Sequence, residues 1–199
     1  RCAGAYEARF MDITPYKQTF DAFLRHVHDS GSLLDLGCGP GNVSRYLLSQ
    51  RPSLALVGVD LSEEMIRIAR RNVPQARFEV QDIREIDFPD ASFDHVVASF
   101  CLPFLYHEEA AALVGALARI TSKGGCIYLS TMMGSGSGYE TTSFSGSHQM
   151  FFNYYTKDFL DGLFGRNALT VLEYTTQEYV VAGSPTLTDM FYILRRDGD

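Results

Sequence analysis

Residues 33–41 read LLDLGCGPG. A short apolar run, interrupted by Asp35, meets three glycines within five positions: Gly37, Gly39 and Gly41. NVSRYLLSQ follows with helical spacing. A strand that ends in a glycine turn and feeds a helix is the usual way an α/β protein holds an extended ligand. Glycine admits φ > 0 and removes the side chain that would block close approach, and the helix presents free amide donors.

The same grammar recurs downstream. SLLDL, LALVGVD, RFEVQD, FDHVVASF and CIYLSTM alternate with NVSRYLLSQ, SEEMIRIARR and HEEAAALVGALARI. The first runs are almost continuously apolar, as parallel strands covered on both faces are. Ser62 ahead of two glutamates reads as a capped, acid-rich first turn. The alternation predicts an open, mostly parallel sheet with helices on both sides, a Rossmann-like three-layer α/β sandwich. SKGG at 122–125 should end a helix and turn the chain. Ahead of the sheet, residues 2–27 read as helical, with Thr14 and Pro15 as a start signal and Gly31 as a stop. Behind it, 134–147 is a Gly/Ser/Thr stretch expected to be a mobile loop over a site. Thr156 should cap a helix. ALTVLEYTTQEYVV and TLTDMFYILRR, parted by Gly183 and Pro185, read as an antiparallel pair on the sheet edge. The expectation is one domain over 1–199, with 1–30 an N-terminal helical cap and 134–155 a lid loop.

Bulk composition agrees. A chain of 199 residues, 46% hydrophobic, supports one substantial core. A net charge of -7 argues against nucleic acid as the main partner. Arg67, Arg70 and Arg71 read as the solvated side of a helix. Cys2, Cys38, Cys101 and Cys126 form no C-x-x-C pair and match no zinc spacing, so no metal is expected and a reducing, cytoplasmic setting fits. No apolar run reaches the length of a membrane span and no leader opens the sequence, so a soluble protein is expected. The chain starts at Arg1 rather than Met, which leaves room for residues ahead of it, targeting ones included.

The glycines alone suit several ligands. A P-loop needs a lysine after them, and none follows. The dinucleotide pattern G-x-G-x-x-G would need a third glycine where Asn42 stands. Asp35, two residues before the first glycine, would repel a pyrophosphate and attract a ligand ammonium. Asp60 ends the next strand, at the distance where an acid reaches ribose hydroxyls. Asp82 ends the third, with Ile83 beside it to cover an apolar ring. Three acids at successive strand ends suit a nucleoside with an amino-acid tail.

Over residues 30–195 the chain resembles the class I S-adenosylmethionine-dependent methyltransferases, especially the broad small-molecule group. LLDLGCGPG at 33–41, VGVDLSEEMIRIAR at 57–70, FPDASFDHVVASF at 88–100 and ITSKGGCIYLS at 120–130 carry the likeness. The resemblance implies a seven-stranded sheet with an antiparallel strand near the C-terminus. It also implies S-adenosyl-L-methionine as methyl donor and S-adenosyl-L-homocysteine as product. Asp35, Gly37, Cys38 and Gly39 would wrap the methionine half, and Asp60 would take the ribose hydroxyls. Leu61 would lie against adenine, with Met65 in the same set. Asp82 and Ile83 would hold the adenine edge, and Ser99 and Phe100 the sulfonium side. Tyr6 and Tyr16 are candidates to fold over the ligand. Many relatives place a histidine pair after the fourth strand; here Pro103 takes the first of those places and His107 falls later.

The implied reaction is methyl transfer to a small molecule by a monomer or homodimer. The alternatives are methylation of RNA or protein, or a non-catalytic cofactor-binding partner protein. No N/D-P-P-Y/F run follows the fourth strand, which disfavours the amino-methylating nucleic-acid subgroup. His148, Asn153, Tyr154 and Tyr155 are acceptor-side candidates, and no catalytic residue is assigned. SHQMFFNYY reads equally as a lid over an apolar substrate or as core packing.

Overall fold

The computed structural model describes residues 11–141, 149–179 and 187–198. Strands β1 (Ser30–Leu36), β2 (Ser53–Asp60), β3 (Arg77–Val80), β4 (Phe93–Ser99) and β5 (Thr121–Met132) run parallel. β8 (Leu169–Tyr179) and β9 (Leu187–Arg196) complete a seven-stranded sheet of order β3-β2-β1-β4-β5-β9-β8. β9 lies antiparallel to both of its neighbours, as the two closing apolar runs predict.

Period-two alternation within the parallel strands feeds two cores. Leu33, Val97, Tyr128 and Phe191 face α1 (Lys17–Leu24), α2 (Asn42–Gln50) and α3 (Glu63–Asn72). Leu34, Val96, Ala98 and Tyr192 face α4 (His107–Ile120) and α5 (Lys157–Arg166). Both faces are buried, which is why these strands read as unbroken apolar runs. Phe20 and Phe23 of α1 are fully buried; at about 1.5–3 kcal/mol per large apolar side chain they fix α1 as a wall beside the sheet. The expected caps form: Ser62 Oγ accepts the Met65 amide at 3.3 Å and Thr156 Oγ1 accepts the Phe159 amide at 3.2 Å.

Three local expectations are corrected. Thr14 opens a 3-10 turn, Thr14–Tyr16, without capping it by its side chain; its own amide donates to Asp12 Oδ1 at 2.9 Å. Gly31 does not stop a helix, because α1 ends at Leu24 and Gly31 lies inside β1. SKGG sits within β5 as an irregularity: β5 advances from Thr121 to Cys126 while β4 advances only from Phe93 to His95. The stretch expected as loop also contains structure, since β6 (Ser137–Thr141) pairs antiparallel with β7 (Gln149–Asn153). Among the described residues no helix is long and apolar enough to cross a membrane.

Candidate functional site

The strand order reverses between β1 and β4, so their carboxyl ends border the crevice where open α/β sheets take ligands. The glycine turn stands at that point. Gly37, Gly39 and Gly41 have φ of 63°, 52° and 83°, a region side chains enter at a cost. A Cβ on Gly37 would also lie 2.9 Å from Cys101 Sγ. The turn hangs from β2: the Cys38 amide donates to Val59 O at 3.0 Å and the Gly39 amide to Asp60 Oδ2 at 2.9 Å. Asn72 Nδ2 holds Pro40 O at 3.0 Å from the far side.

The three acids differ in state. Asp35 lies beneath the turn, 1% exposed, with Ser44 Oγ donating to its Oδ2 at 2.5 Å. Burial, helped by the nearby Asp60 charge, pushes its pKa up to about 7 against the pull of Ser44. Asp60 is partly buried. Burial raises its pKa, opposed by the Ser62 and Gly39 amides that bond its two oxygens. Asp82 is held below the usual carboxylate range by Arg84, whose Nε and Nη2 fork both oxygens at 2.5–3.0 Å. Ile83 opens the 3-10 turn Ile83–Glu85 and packs on the core. Leu61 is 63% exposed at the rim, and Met65 lies half-buried on the first turn of α3.

Across the crevice β4 ends at Ser99, whose hydroxyl lies 3.4 Å from that of Ser130. Phe100 then turns left-handed, with φ of 51°. Its amide bonds both Ser130 O and Ser130 Oγ at 3.1 Å, which holds the strained residue in place. Tyr16 packs on Phe100 with ring centroids 5.2 Å apart and on Phe191 at 5.8 Å. Its hydroxyl donates to Asp189 Oδ2 at 3.3 Å. The structure therefore gathers Asp35, Gly37, Cys38, Gly39 and Asp60 around one turn. It sets Ser99 and Phe100 at the end of β4, with Tyr16 of the 3-10 turn packed against Phe100.

The acceptor-side candidates fare differently. Asn153 is buried, and its Nδ2 donates to Leu105 O at 3.0 Å. Tyr155 OH bonds Leu102 O and Leu105 O at 2.9 and 2.7 Å. Both pin the turn at 102–105. Tyr154 OH donates to Glu140 Oε1 at 2.8 Å within the β6–β7 unit. His107 opens α4, its ring against Tyr155 and Phe159. Tyr6 and His148 lie outside the described residues. Sequence reasoning named Phe100 but not its left-handed backbone, and it missed Ser44 and Asp189. Only Asp189 left a signal there, an acid inside the apolar strand run TLTDMFYIL.

Residues 33–125 match the family model described as "Methyltransferase domain". Trans-aconitate 2-methyltransferase of Methylobacterium nodulans is 38% identical over 95 residues, 48% of this chain and 36% of that protein. Phosphatidylethanolamine N-methyltransferase of Cereibacter sphaeroides is 39% identical over 107 residues, half of each chain. This chain thus spans a third to a half of the length of these curated relatives. The fold is that of an S-adenosylmethionine-dependent methyltransferase from Methanosarcina mazei, with a TM-score of 0.78 at 18% identity, covering 89% of this chain and 98% of that one.

Proposed function

We propose that this chain, which carries a methyltransferase domain over residues 33–125, is a class I S-adenosylmethionine-dependent methyltransferase that transfers the methyl group of S-adenosylmethionine to a small molecule. The observation that carries this reading is the buried, protonatable Asp35 beneath a left-handed glycine turn. An ammonium arriving there restores the carboxylate and gains a charge-assisted bond, whereas a diphosphate would meet an acid.

The residues present fit such a ligand. The left-handed glycine turn puts bare backbone at the switch point of the sheet, and exposed Leu61 offers an apolar face at the rim. Asp35 and the turn formed by Gly37, Cys38 and Gly39 wrap the amino-acid end. Asp60, anchored through Gly39 and Ser62, accepts from ribose hydroxyls. Leu61 and Met65 flank the base. Asp82, kept ionised by Arg84, accepts from its amino group, and Ile83 covers the ring. Ser99, Phe100 and Tyr16 close the sulfonium side. The sulfonium supplies a methyl group already activated for attack; the protein's task is to position the acceptor and exclude water, worth up to about 7–11 kcal/mol in favourable cases. The relatives' names point to two acceptor chemistries, a carboxylic acid and an amine.

Calorimetry with S-adenosylhomocysteine and NAD tests the ligand class. S-adenosylhomocysteine should bind, and Asp60→Ala should weaken it with the fold intact. Tight NAD binding without a response to S-adenosylhomocysteine would overturn the reading.

A further inference from the structure

Asp189 is a buried acid that meets no counter-charge among the described residues. It lies on β9 opposite Met132, at the carboxyl end of β5 and one strand away from Ser99 and Phe100. It is 3% exposed. Tyr16 OH is its one hydrogen-bonding side chain among the described residues, and no Lys, Arg or His among them pairs with it. The other titratable group that feels it is Tyr128 on β5, whose hydroxyl is 2.8 Å from Thr19 Oγ1. Burial pushes the Asp189 pKa up to about 6. A carboxyl kept in such a place is costly unless a cation completes it.

Tyr16, which bonds the acid, belongs to a cluster of three rings. Tyr16, Phe100 and Phe191 stand within 5.2–6.0 Å of one another, centroid to centroid. Aromatic faces beside a carboxylate favour a positively charged nitrogen. They do not favour an anionic acceptor, which would bring a second negative charge against Asp189.

We propose that Asp189, set by Tyr16, is the acceptor-side acid–base residue and that the acceptor is an amine. This rests on the methyl-transfer reading of the neighbouring crevice. The acceptor enters as an ammonium and gives one proton to the Asp189 carboxylate, which frees the nitrogen lone pair. That pair forms the N–C bond as the S–C bond breaks, and the S–C electrons stay on sulfur. The products are a methylated ammonium, a neutral thioether and a carboxylic acid that returns its proton to water. Positive charge moves from sulfur to nitrogen during the step. Asp189 is neutral once it holds the proton, so its contribution is that of the base that frees the lone pair and sets the nitrogen in line with the methyl group.

The test uses two ligands that differ in one group: S-adenosylhomocysteine, and sinefungin, which carries an amine where the methyl is transferred. Asp189→Asn keeps the shape and removes the charge. Sinefungin should bind the variant at least tenfold more weakly than the parent near pH 7.5, while S-adenosylhomocysteine binds both alike. With labelled S-adenosylmethionine and a metabolite extract, the label should enter base-stable N-methyl products. Equal sinefungin affinity in parent and variant, equal weakening of both ligands, or label released by base as from a methyl ester would overturn the proposal. Failure of the parent to bind S-adenosylhomocysteine would instead remove the methyl-donor reading beneath it.

Discussion

Replacing Asp35 with asparagine should change how stability depends on pH, and the size of the change follows from its burial. The folded pKa is about 7 against an ordinary 3.8. That is about 3 units, or roughly 4 kcal/mol at about 1.4 kcal/mol per unit. The folded state keeps its proton between the two values while the unfolded chain has lost it. The native state thus binds more protons, and stability falls as pH rises from about 4 to about 7, then levels. Asparagine does not titrate. Its oxygen still accepts the Ser44 hydroxyl, and its buried N–H costs about 1–3 kcal/mol at every pH. Urea unfolding of both proteins between about pH 4 and pH 8 should give a difference curve that climbs by about 4 kcal/mol in favour of Asp35→Asn, whatever its offset. A flat difference would refute the assignment of that pKa to Asp35. The same pKa predicts that S-adenosylhomocysteine binding near pH 7 releases about half a proton, measured by calorimetry in buffers of different ionisation enthalpy. No proton release would refute an ammonium at Asp35.

Two further predictions concern the scaffold. Gly37→Ala places a side chain at φ of 63° and 2.9 Å from Cys101 Sγ; chemical denaturation should show a loss of about 1–3 kcal/mol, with ligand affinity falling too. His95 accepts the Cys126 amide at Nδ1, and burial lowers its pKa to about 4, so it folds neutral. Its stabilisation is present above about pH 6.5 and is lost as pH falls toward 4, up to about 3 kcal/mol; His95→Asn should remove that component from the acid limb of the unfolding curve.

The glycine turn and the acids beside it were legible because their signals are local. Asp35, the glycines and Asp60 each sit at a strand end, and the strands are marked by runs of their own residues. The turn's meaning follows from residues within thirty positions of it. The β6–β7 pair was not legible. SGYET carries no apolar alternation, so its strand state depends on QMFFN across an intervening segment. SKGG misled for a related reason: a glycine pair ends helices and also permits bulges, and only pairing with β4 distinguishes the two. Phe100 in the left-handed region has no sequence signature, since its conformation is imposed by Ser130 from the neighbouring strand.

The group around Asp189 was hidden because it is assembled from distant pieces. Tyr16 precedes the sheet, Phe100 ends β4, and Asp189 and Phe191 start the last strand; the Tyr16–Asp189 hydrogen bond spans 173 positions. No window of sequence contains that group, yet an acid in TLTDMFYIL violates the strand's pattern without local compensation. A buried edge of an apolar strand has no use for a carboxyl, which costs stability there unless a cation satisfies it. The violation is therefore the informative residue. On the proposed reading it separates two acceptor chemistries that the glycine turn and its acids leave equal, because an ionised Asp189 attracts an ammonium and repels a carboxylate.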